Sequence, residues 1–406
     1  MNWSGSALAC LLGAAMSVAS VSKAGVWVTQ PDLGVSGDYN SNPVLLNVPD
    51  TAQTAAALLL DAPTTYSAND FKLSLIPSFR FGTTRGYDSI DSDFEHLTSK
   101  AELDSERNVF SASIGAARDS SLYHDYLSDG VTGVRRDTGT VDLNWDRLLT
   151  EHIDFNTDLT SQRVTYGAPV GGAPTLTNYK YTSLSPTLAW DATERSKLTA
   201  SVSGGLYNSL DGATESRSLN PQLGYIGKLN EIWSLSATAG YSRAIDQVSE
   251  TLTEYFLTPT GVQSVLVPLN EKSSQDGSVF SFNLGRKGEL LSMNFAASRQ
   301  LVPSGFAYLT RQEIYEITAS YQYTERWSLS GDLRLVQYQI PTLGQNASSD
   351  LSTYYGSVSA AWQWTEHLTL TMSIARAVEK FATPAISVDA NSVSIQLVRK
   401  FNQMTL

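Results

Sequence analysis

Thr324-Glu325-Arg326-Trp327 is a short polar turn between two runs of residues in which apolar and polar side chains alternate. In the run after the turn, one face of an extended chain carries Trp327, Leu329, Gly331, Leu333 and Leu335. The opposite face carries Ser328, Ser330, Asp332 and Arg334. A period of two residues is that of a β-strand with one apolar and one polar face. The stretch therefore predicts a β-hairpin whose two faces meet different surroundings.

Similar turns recur along the chain, each between two amphipathic runs: Ser105-Glu106-Arg107, Thr150-Glu151-His152, Thr193-Glu194-Arg195, Asn230-Glu231 and Thr365-Glu366-His367. Longer connections rich in Gly, Asp, Ser and Asn alternate with these turns. The runs between them hold about 10–14 residues, more than an average soluble strand, and enough for a tilted strand to cross a bilayer. Short turns at one rim and long loops at the other are typical of a bacterial outer-membrane barrel.

The pattern predicts an all-β fold, a transmembrane, antiparallel, up-and-down β-barrel formed by residues 25–406 as a single domain. Its short turns would lie in the periplasm and its long loops outside the cell. Both chain ends then lie in the periplasm, so the number of strands is even. We expect about 18 strands if residues 31–40 form one strand and a poorer strand lies within 84–93, and 16 strands if neither forms.

Two further segments receive a non-strand prediction. Residues 52–60 are rich in Ala and Leu, which favours two helical turns. These turns would cover the barrel mouth or, as the alternative, plug the lumen. Residues 246–275 are predicted to form a long loop.

The N-terminal segment 1–24 has the features of a secretory signal peptide. An apolar run from Ala7 to Ala19 precedes Ser22-Lys23-Ala24, which fits a cleavage site between small residues. A buried helix of a cytoplasmic protein is the alternative interpretation. Cleavage after Ala24 would also remove Cys10, the single cysteine, so the exported chain would have no disulfide. The predicted localisation is the outer membrane of a Gram-negative bacterium, and the formal net charge of −12 gives no reason to expect a nucleic-acid partner.

Aromatic residues are sorted along the predicted strands. Five tryptophans lie close to the short turns, namely Trp145, Trp190, Trp233, Trp327 and Trp364. Tyrosines gather nearer the long loops, namely Tyr123, Tyr126, Tyr166, Tyr207, Tyr308, Tyr338 and Tyr354. In a barrel, the two sets would form aromatic girdles at the two membrane interfaces. The alternative is the general preference of aromatic residues for strands, which accounts for their number but not for their sorting.

The polar face of the predicted strands would line the lumen. On the hairpin of residues 141–159 that face carries Asp142, Asn144, Asp146, Asp154, Asn156 and Asp158. Four carboxylates would give the pore wall an acidic strip that favours cations or neutral solutes. Asp332 and Arg334 are predicted to face the lumen on a later strand. The alternative is that these lumen carboxylates form ion pairs with lumen arginines.

Catalytic and metal-binding patterns are weak. His152 and His367 occupy equivalent positions in two of the repeated turns, so we interpret them as turn residues. His124, with Ser120 or Ser121 nearby, is the one candidate for the Ser–His pair of a lipid-modifying barrel enzyme, and a solvated loop histidine is the simpler interpretation. The spacing of Asp88, Asp91 and Asp93 is not that of a calcium loop. We therefore expect no catalytic residues, no metal site and no cofactor.

The start of the predicted barrel resembles a family of outer-membrane β-barrels associated with exopolysaccharide biosynthesis and export loci. The resemblance lies in Val35-Ser36-Gly37-Asp38-Tyr39-Asn40-Ser41-Asn42-Pro43-Val44-Leu45-Leu46, in Asn69-Asp70-Phe71 and in Pro77. It covers the motifs of residues 30–110, and the rest of the chain only in architecture. The resemblance implies a non-enzymatic protein with polysaccharide and periplasmic export components as partners.

These observations predict an outer-membrane pore linked to exopolysaccharide secretion. The alternatives are a general diffusion porin for small neutral or cationic solutes and, third, a lipid- or lipopolysaccharide-modifying barrel enzyme. Outer-membrane lipid and lipopolysaccharide are expected partners of the outer face in each case.

Overall fold

The computed structural model describes residues 25–43, 45, 52–86, 93–120, 134–168, 176–258, 261–341, 348–381 and 386–405. These residues form 21 β-strands. The strands are β1 (Val26–Thr29), β2 (Asp32–Asn40), β3 (Gln53–Asp61), β4 (Thr64–Ala68), β5 (Phe71–Gly86), β6 (Phe94–Asp104), β7 (Asn108–Ser120), β8 (Arg135–Thr150), β9 (Ile153–Tyr166), β10 (Tyr179–Thr193), β11 (Ser196–Ser209), β12 (Thr214–Lys228), β13 (Trp233–Thr258), β14 (Gly261–Lys287), β15 (Leu291–Pro303), β16 (Leu309–Gln322), β17 (Trp327–Pro341), β18 (Ser348–Thr365), β19 (Leu368–Phe381), β20 (Ile386–Lys400) and β21 (Met404–Thr405).

Eighteen of these strands form a closed antiparallel barrel. Consecutive strands from β5 to β20 pair with their neighbours, β3 pairs with both β2 and β5, and β2 closes the ring by pairing with β20. In the closing pair, Val35 lies opposite Leu397 and Gly37 lies opposite Ile395. The predicted all-β barrel of 18 strands is confirmed, as is the strand expected at 31–40. No helix in the described ranges is long and apolar enough to cross a membrane.

The segment 52–60 is a strand of the barrel wall, so the prediction of helical turns or a lumen plug was wrong. It forms β3, in which Leu58 and Leu60 point outward and are 44% and 37% exposed, whereas Ala55 and Ala57 are buried on the inner face. Ala and Leu favour helices in isolation, but pairing along both edges of β3 outweighs that weak local preference.

Two other segments differ from the prediction. The second of the two extra strands is β3. Of the segment 84–93, where that strand was expected, residues 84–86 belong to β5 and residues 87–92 lie outside the described ranges. The predicted loop at 246–275 is also wrong. There β13 and β14 pair continuously from Trp233↔Arg286 to Thr258↔Gly261 and form one long hairpin. The sequence of this segment lacks the strict apolar–polar alternation by which the other strands were predicted.

The repeated Thr-Glu turns have a common hydrogen-bonding cause. The Thr324 hydroxyl accepts hydrogen bonds from the backbone N–H groups of Arg326 and Trp327, at 3.3 and 3.1 Å. The equivalent hydroxyls of Thr150, Thr193 and Thr365 accept from the residue two positions later. A side-chain acceptor of this type stabilises a tight turn by satisfying N–H groups that have no partner in the ladder. These turns define one end of the barrel, here called the turn rim, and the opposite end is the loop rim.

A small sheet extends the barrel wall at the turn rim, where the first strand β1 and the last strand β21 meet. β1 pairs with β4 and with β21, and β4 pairs with the first residues of β5. Pro31 and Pro63 stand where β1 and β4 separate from the barrel strands β2 and β3, and their carbonyls accept hydrogen bonds from Phe401 and Gln30. Proline has no N–H to donate to a ladder, which explains why regular pairing breaks at this level.

Candidate functional site

The lumen face of the barrel can be followed from strand to strand through the register. Tyr207 of β11 is fully buried and lies level with Tyr181 of β10, which lies level with Gln162 of β9 and Thr140 of β8. Side chains on this face point inward. The opposite face carries exposed large apolar side chains on β8 and on every strand from β10 to β13, among them Val141, Leu184, Leu188, Leu198, Val202, Leu219, Leu223 and Tyr241. The outer face is therefore apolar and the inner face is polar.

The acidic strip predicted on β8 and β9 lies on this inner face. Asp142 accepts a 3.0 Å hydrogen bond from the Ser113 hydroxyl. Asp146 and Asp158 accept from the side-chain amides of Asn156 and Asn144, at 2.5 and 2.6 Å. Within the described ranges these three carboxylates have no cationic partner, so their negative charges remain available to the lumen. Hydroxyl and amide donors orient the carboxylates without neutralising them.

Asp154, the fourth member of the strip, is neutralised. The ammonium group of Lys197 on β11 lies 2.5 Å from Asp154 and 3.2 Å from Asp191. Two carboxylates share one ammonium group, so the cluster of Asp154, Asp191 and Lys197 keeps a net negative charge. The alternative considered from the sequence was pairing with arginines; Asp154 instead pairs with a lysine, and the other three carboxylates of the strip form no ion pair within the described ranges.

The second predicted lumen pair also forms an ion-pair cluster. The guanidinium of Arg334 lies 2.9 Å from Glu316 and 3.3 Å from Asp332. Elsewhere on the inner wall, Arg80 pairs with Asp38 at 2.7 Å and Arg136 with Asp119 at 3.1 Å. The arginines named here are thus each held by a carboxylate on the inner wall.

Small hydroxyl side chains cover the inner wall between these charges near the turn rim. A shallow recess on β15 to β18 is lined by inward residues that are nearly all Ser, Thr or Asn: Ser292, Asn294, Thr318, Ser320, Ser330, Asp332 and Ser357. Neighbouring hydroxyls bond to one another across strands, as in Ser330–Ser359 at 2.6 Å. Such a wall offers many hydrogen-bond donors and acceptors and little charge.

The tip of the β15–β16 hairpin narrows the lumen at the loop rim. β14 and β15 stop pairing at Phe280↔Arg299, although β15 and β16 remain paired to Pro303↔Leu309. Beyond this point the β15–β16 hairpin passes inside the long β13–β14 hairpin. Leu309 is fully buried against inward side chains of the opposite strands, namely Val164, Tyr179, Tyr207 and Ala244. The Gln275 side-chain amide bonds to the Leu309 carbonyl at 3.3 Å and to Asp246 at 2.9 Å.

A second segment folds inward on the other side of the barrel. Leu45, which follows β2, is buried against Ala377, Val388 and Ala390 of the inner wall. The Ser41 hydroxyl accepts a 2.8 Å hydrogen bond from the Asn391 backbone and thereby holds the start of this segment. The described part of the lumen is consequently narrowed from two sides at the loop rim and more open toward the turn rim.

Sequence reasoning missed both inward segments, although a signal was present. Near the loop rim, apolar side chains occupy the inward positions that carry Ser and Asp nearer the turn rim: Ile314, Val336, Leu351, Tyr355, Ala377 and Val388. An apolar inner face in a polar-lined barrel indicates that protein packs against it. This change along β16 to β20 could have predicted an inward segment.

The five predicted girdle tryptophans all lie near the turn rim on the outer face. Trp327 stacks on Trp362 at 5.6 Å, and Trp362 stacks on Trp364 at 5.5 Å, so a sixth tryptophan extends the group. Their role as a membrane girdle stays a prediction. The tyrosine girdle was wrong for Tyr207 and Tyr338, which are buried on the inner face, and Tyr123 and Tyr126 lie outside the described ranges.

The histidines and candidate metal ligands give no catalytic arrangement in the described chain. His152 and His367 are in the turns, and His96 faces the lumen with its Nε2 2.9 Å from the Thr98 hydroxyl. The described residues contain no group of three or more His, Cys, Asp or Glu arranged to hold a metal. His124, Ser121, Asp88, Asp91 and the predicted signal peptide 1–24 lie outside the described residues, and so does the side chain of Ser120.

No protein-family model and no curated protein matches the chain. Solved structures with a similar overall shape are outer-membrane proteins. Pseudomonas aeruginosa OpdO is 12% identical with a TM-score of 0.48, over 92% of this chain and 97% of that protein. The ferric citrate transporter FecA is 10% identical with a TM-score of 0.46, over 86% of this chain, and the copper transporter OprC is 10% identical with a TM-score of 0.47, over 89%. The chain spans 60% of FecA and 64% of OprC.

Identities and scores at this level are too low to transfer function. The character of the protein follows from its own surface. A closed barrel satisfies every wall hydrogen bond internally, and a band of exposed Leu, Val and Ile around it would be stable only against lipid. The chain is a transmembrane β-barrel of the Gram-negative outer membrane.

Proposed function

We propose that this barrel is a passive outer-membrane pore that serves exopolysaccharide secretion, with periplasmic export components as partners. The observation that carries the pore is the contrast between the two faces of one closed wall. The outer face is apolar, whereas the inner face carries hydroxyl, amide and carboxylate groups that favour a hydrated passage. The proposal is of a non-enzymatic protein whose signal peptide, residues 1–24, directs export.

The hydroxyl-rich wall supports a carbohydrate as the solute. Ser, Thr and Asn side chains on β15 to β18 can exchange hydrogen bonds with sugar hydroxyls, and the lumen arginines Arg80 and Arg334 are already held by carboxylates. A strongly anionic polymer would meet Asp142, Asp146 and Asp158 without a basic ladder to offset the repulsion. A neutral or weakly charged polysaccharide is therefore the solute that this wall suits best. The resemblance of Val35–Leu46 to exopolysaccharide-associated barrels supports the same solute class.

The second candidate is a general porin for small neutral or cationic solutes. The three unneutralised carboxylates on β8 and β9 favour it, since fixed negative charge raises the local concentration of cations. The two candidates differ in whether a long sugar chain enters the lumen.

The test is single-channel recording of the full barrel in a planar bilayer. A pore predicts stable conductance with cation selectivity, and a barrel that never conducts would contradict both candidates. The variant D142N/D146N/D158N should shift the reversal potential toward zero in a salt gradient. The matched control D389N removes a carboxylate from the outer face and should leave the reversal potential unchanged.

Adding a neutral polysaccharide then separates the candidates. Concentration-dependent blockade by the polymer, at a size where the monosaccharide does not block, supports polysaccharide passage. Conductance that is unaffected by polymers of every tested length supports the general porin instead.

A further inference from the structure

Two cations stand directly opposite each other on the outer face of β9 and β10. Arg163 and Lys180 are register partners near the loop rim, and both side chains are exposed. The register places them on the face opposite to Gln162 and Tyr181, which point inward. Within the described part of the chain, neither has an ion-pair or hydrogen-bond partner. Like charges at directly opposed strand positions destabilise a sheet, so this pair is an unfavourable arrangement as it stands.

Three other cations of the outer face near the loop rim provide a contrast. Arg118 pairs with Asp137 at 2.8 Å, Arg299 with Glu313 at 2.8 Å and Arg376 with Asp389 at 3.2 Å. Each of these guanidinium groups has its counter-charge on the adjacent strand, where a cross-strand ion pair is expected. The Arg163–Lys180 pair lacks one. An external anion would complete the pattern at this position.

The surroundings of the pair define the chemistry of that anion. Leu184 on β10 lies on the same face four residues nearer the turn rim and is 50% exposed, and Leu206 and Leu219 on the next strands are also exposed. The pair thus stands at the upper edge of the apolar band. A ligand that fits both surfaces has an anionic headgroup joined to acyl chains. Asn208, the register partner of Lys180 on β11, adds an amide beside the cations.

We propose that Arg163 and Lys180 bind a phosphate group of the outer-leaflet glycolipid, the lipid A part of lipopolysaccharide, with its acyl chains against the apolar band below. A guanidinium can donate two parallel hydrogen bonds to a phosphate, and the ammonium adds a second positive charge. The phosphate removes the repulsion between the two side chains, so binding also stabilises the β9–β10 pair. This site is independent of what passes through the lumen.

The test measures lipid binding to the full barrel in detergent by native mass spectrometry. Bisphosphorylated lipid A is titrated against the wild type and R163Q/K180Q, and the double variant should bind it at least roughly tenfold more weakly. The charge-preserving exchange R163K/K180R should retain most of the affinity. The matched control R118Q/R376Q removes two outer cations that already have carboxylate partners, and should bind as the wild type does. Retention of the heat-modifiable gel mobility shows that each variant is folded.

Three results would overturn the proposal. The first is equal binding of bisphosphorylated lipid A by the wild type and R163Q/K180Q. The second is equal affinity of the wild type for lipid A with and without its phosphates. The third is displacement of the lipid by millimolar inorganic phosphate, which would show that the site takes a free anion and not a lipid headgroup.

Discussion

The phenol hydroxyl of Tyr207 donates a 3.1 Å hydrogen bond to the backbone carbonyl of Ser304, and so joins the wall strand β11 to the tip of the β15–β16 hairpin. Both partners are buried, and the Tyr207 ring also stacks on Tyr179 at 5.1 Å. Tyr207 and Ser304 are separated by 97 positions in the chain. This contact holds the hairpin tip against the opposite side of the lumen, and it makes the position of the tip testable.

Replacing Tyr207 with Phe should loosen the tip while preserving the aromatic packing. The buried Ser304 carbonyl would lose its donor, which costs about 1–3 kcal/mol for an unsatisfied group. We expect single-channel recordings of Y207F to show more frequent transitions and a larger mean conductance than the wild type.

The control for this experiment is Y354F, because Tyr354 is exposed on the outer face. It removes the same hydroxyl far from the hairpin tip and should leave the conductance unchanged. Identical recordings for Y207F and the wild type would show that the Tyr207 contact does not restrain the tip.

Replacing Thr324 with Ala should weaken the turn between β16 and β17. The Thr324 hydroxyl accepts two backbone hydrogen bonds, and in T324A the Trp327 N–H keeps only its 3.3 Å hydrogen bond to the Thr324 carbonyl. Each net hydrogen bond contributes about 0.5–1.5 kcal/mol. We expect T324A to lose its folded gel mobility at a lower temperature than the wild type, whereas T324S keeps the acceptor and stays close to wild type. Equal midpoints for T324A and T324S would contradict this explanation of the repeated turns.

Leu45 gives a prediction for the second inward segment. Its side chain is buried against Ala377, Val388 and Ala390, and truncation of a buried Leu to Ala costs about 2–5 kcal/mol where the cavity cannot collapse. L45A should therefore lower the unfolding midpoint in urea. The matched control L33A truncates an exposed outer-face leucine and should have a smaller effect in detergent, since detergent fills the vacated space.

The strand pattern was predictable from sequence because each wall residue faces either lipid or the lumen. Apolar and polar residues therefore alternate along a strand with a period of two. Leu333 and Asp332 are typical of this clear alternation. The acidic strip followed from the same alternation, which placed Asp142, Asp146 and Asp158 on one face. The alternation does not identify the ion-pair partner of a carboxylate. Lys197, which pairs with Asp154 of β9, lies on β11, two strands away in the barrel.

The errors share a physical cause. In β3, Ala and Leu favour a helix locally, and only the pairing with β2 and β5 decides otherwise. Residues 246–275 of the long β13–β14 hairpin lack the strict apolar–polar alternation of the other strands, so their sequence resembles a loop. Tyr207 and Tyr338 were assigned to a girdle because they lie near the long loops. Their burial depends on segments that fold back from elsewhere in the chain.

Gly240 provides a last prediction, because the barrel wall requires the absence of a side chain there. The β12–β13 ladder is interrupted between Leu219↔Arg243 and Gln222↔Gly240, where Pro221 supplies no N–H. A methyl group on Gly240 would lie 2.0 Å from the Pro221 carbonyl oxygen and 2.9 Å from the Gln222 Cα. Both obstacles are backbone atoms, so relief requires the strands to separate, and overpacking of this type costs about 1–3 kcal/mol.

G240A should therefore lower the midpoint temperature at which the folded, faster-migrating band is lost on a gel. The matched control is G139A in β8, where an added methyl group meets nothing within 4 Å. Where the backbone tolerates the change, Gly to Ala stabilises by about 0.4–1 kcal/mol through the unfolded chain, so G139A should match or exceed the wild-type midpoint. If G240A is as stable as G139A, the close approach of β12 and β13 at Pro221 is not a requirement of the fold.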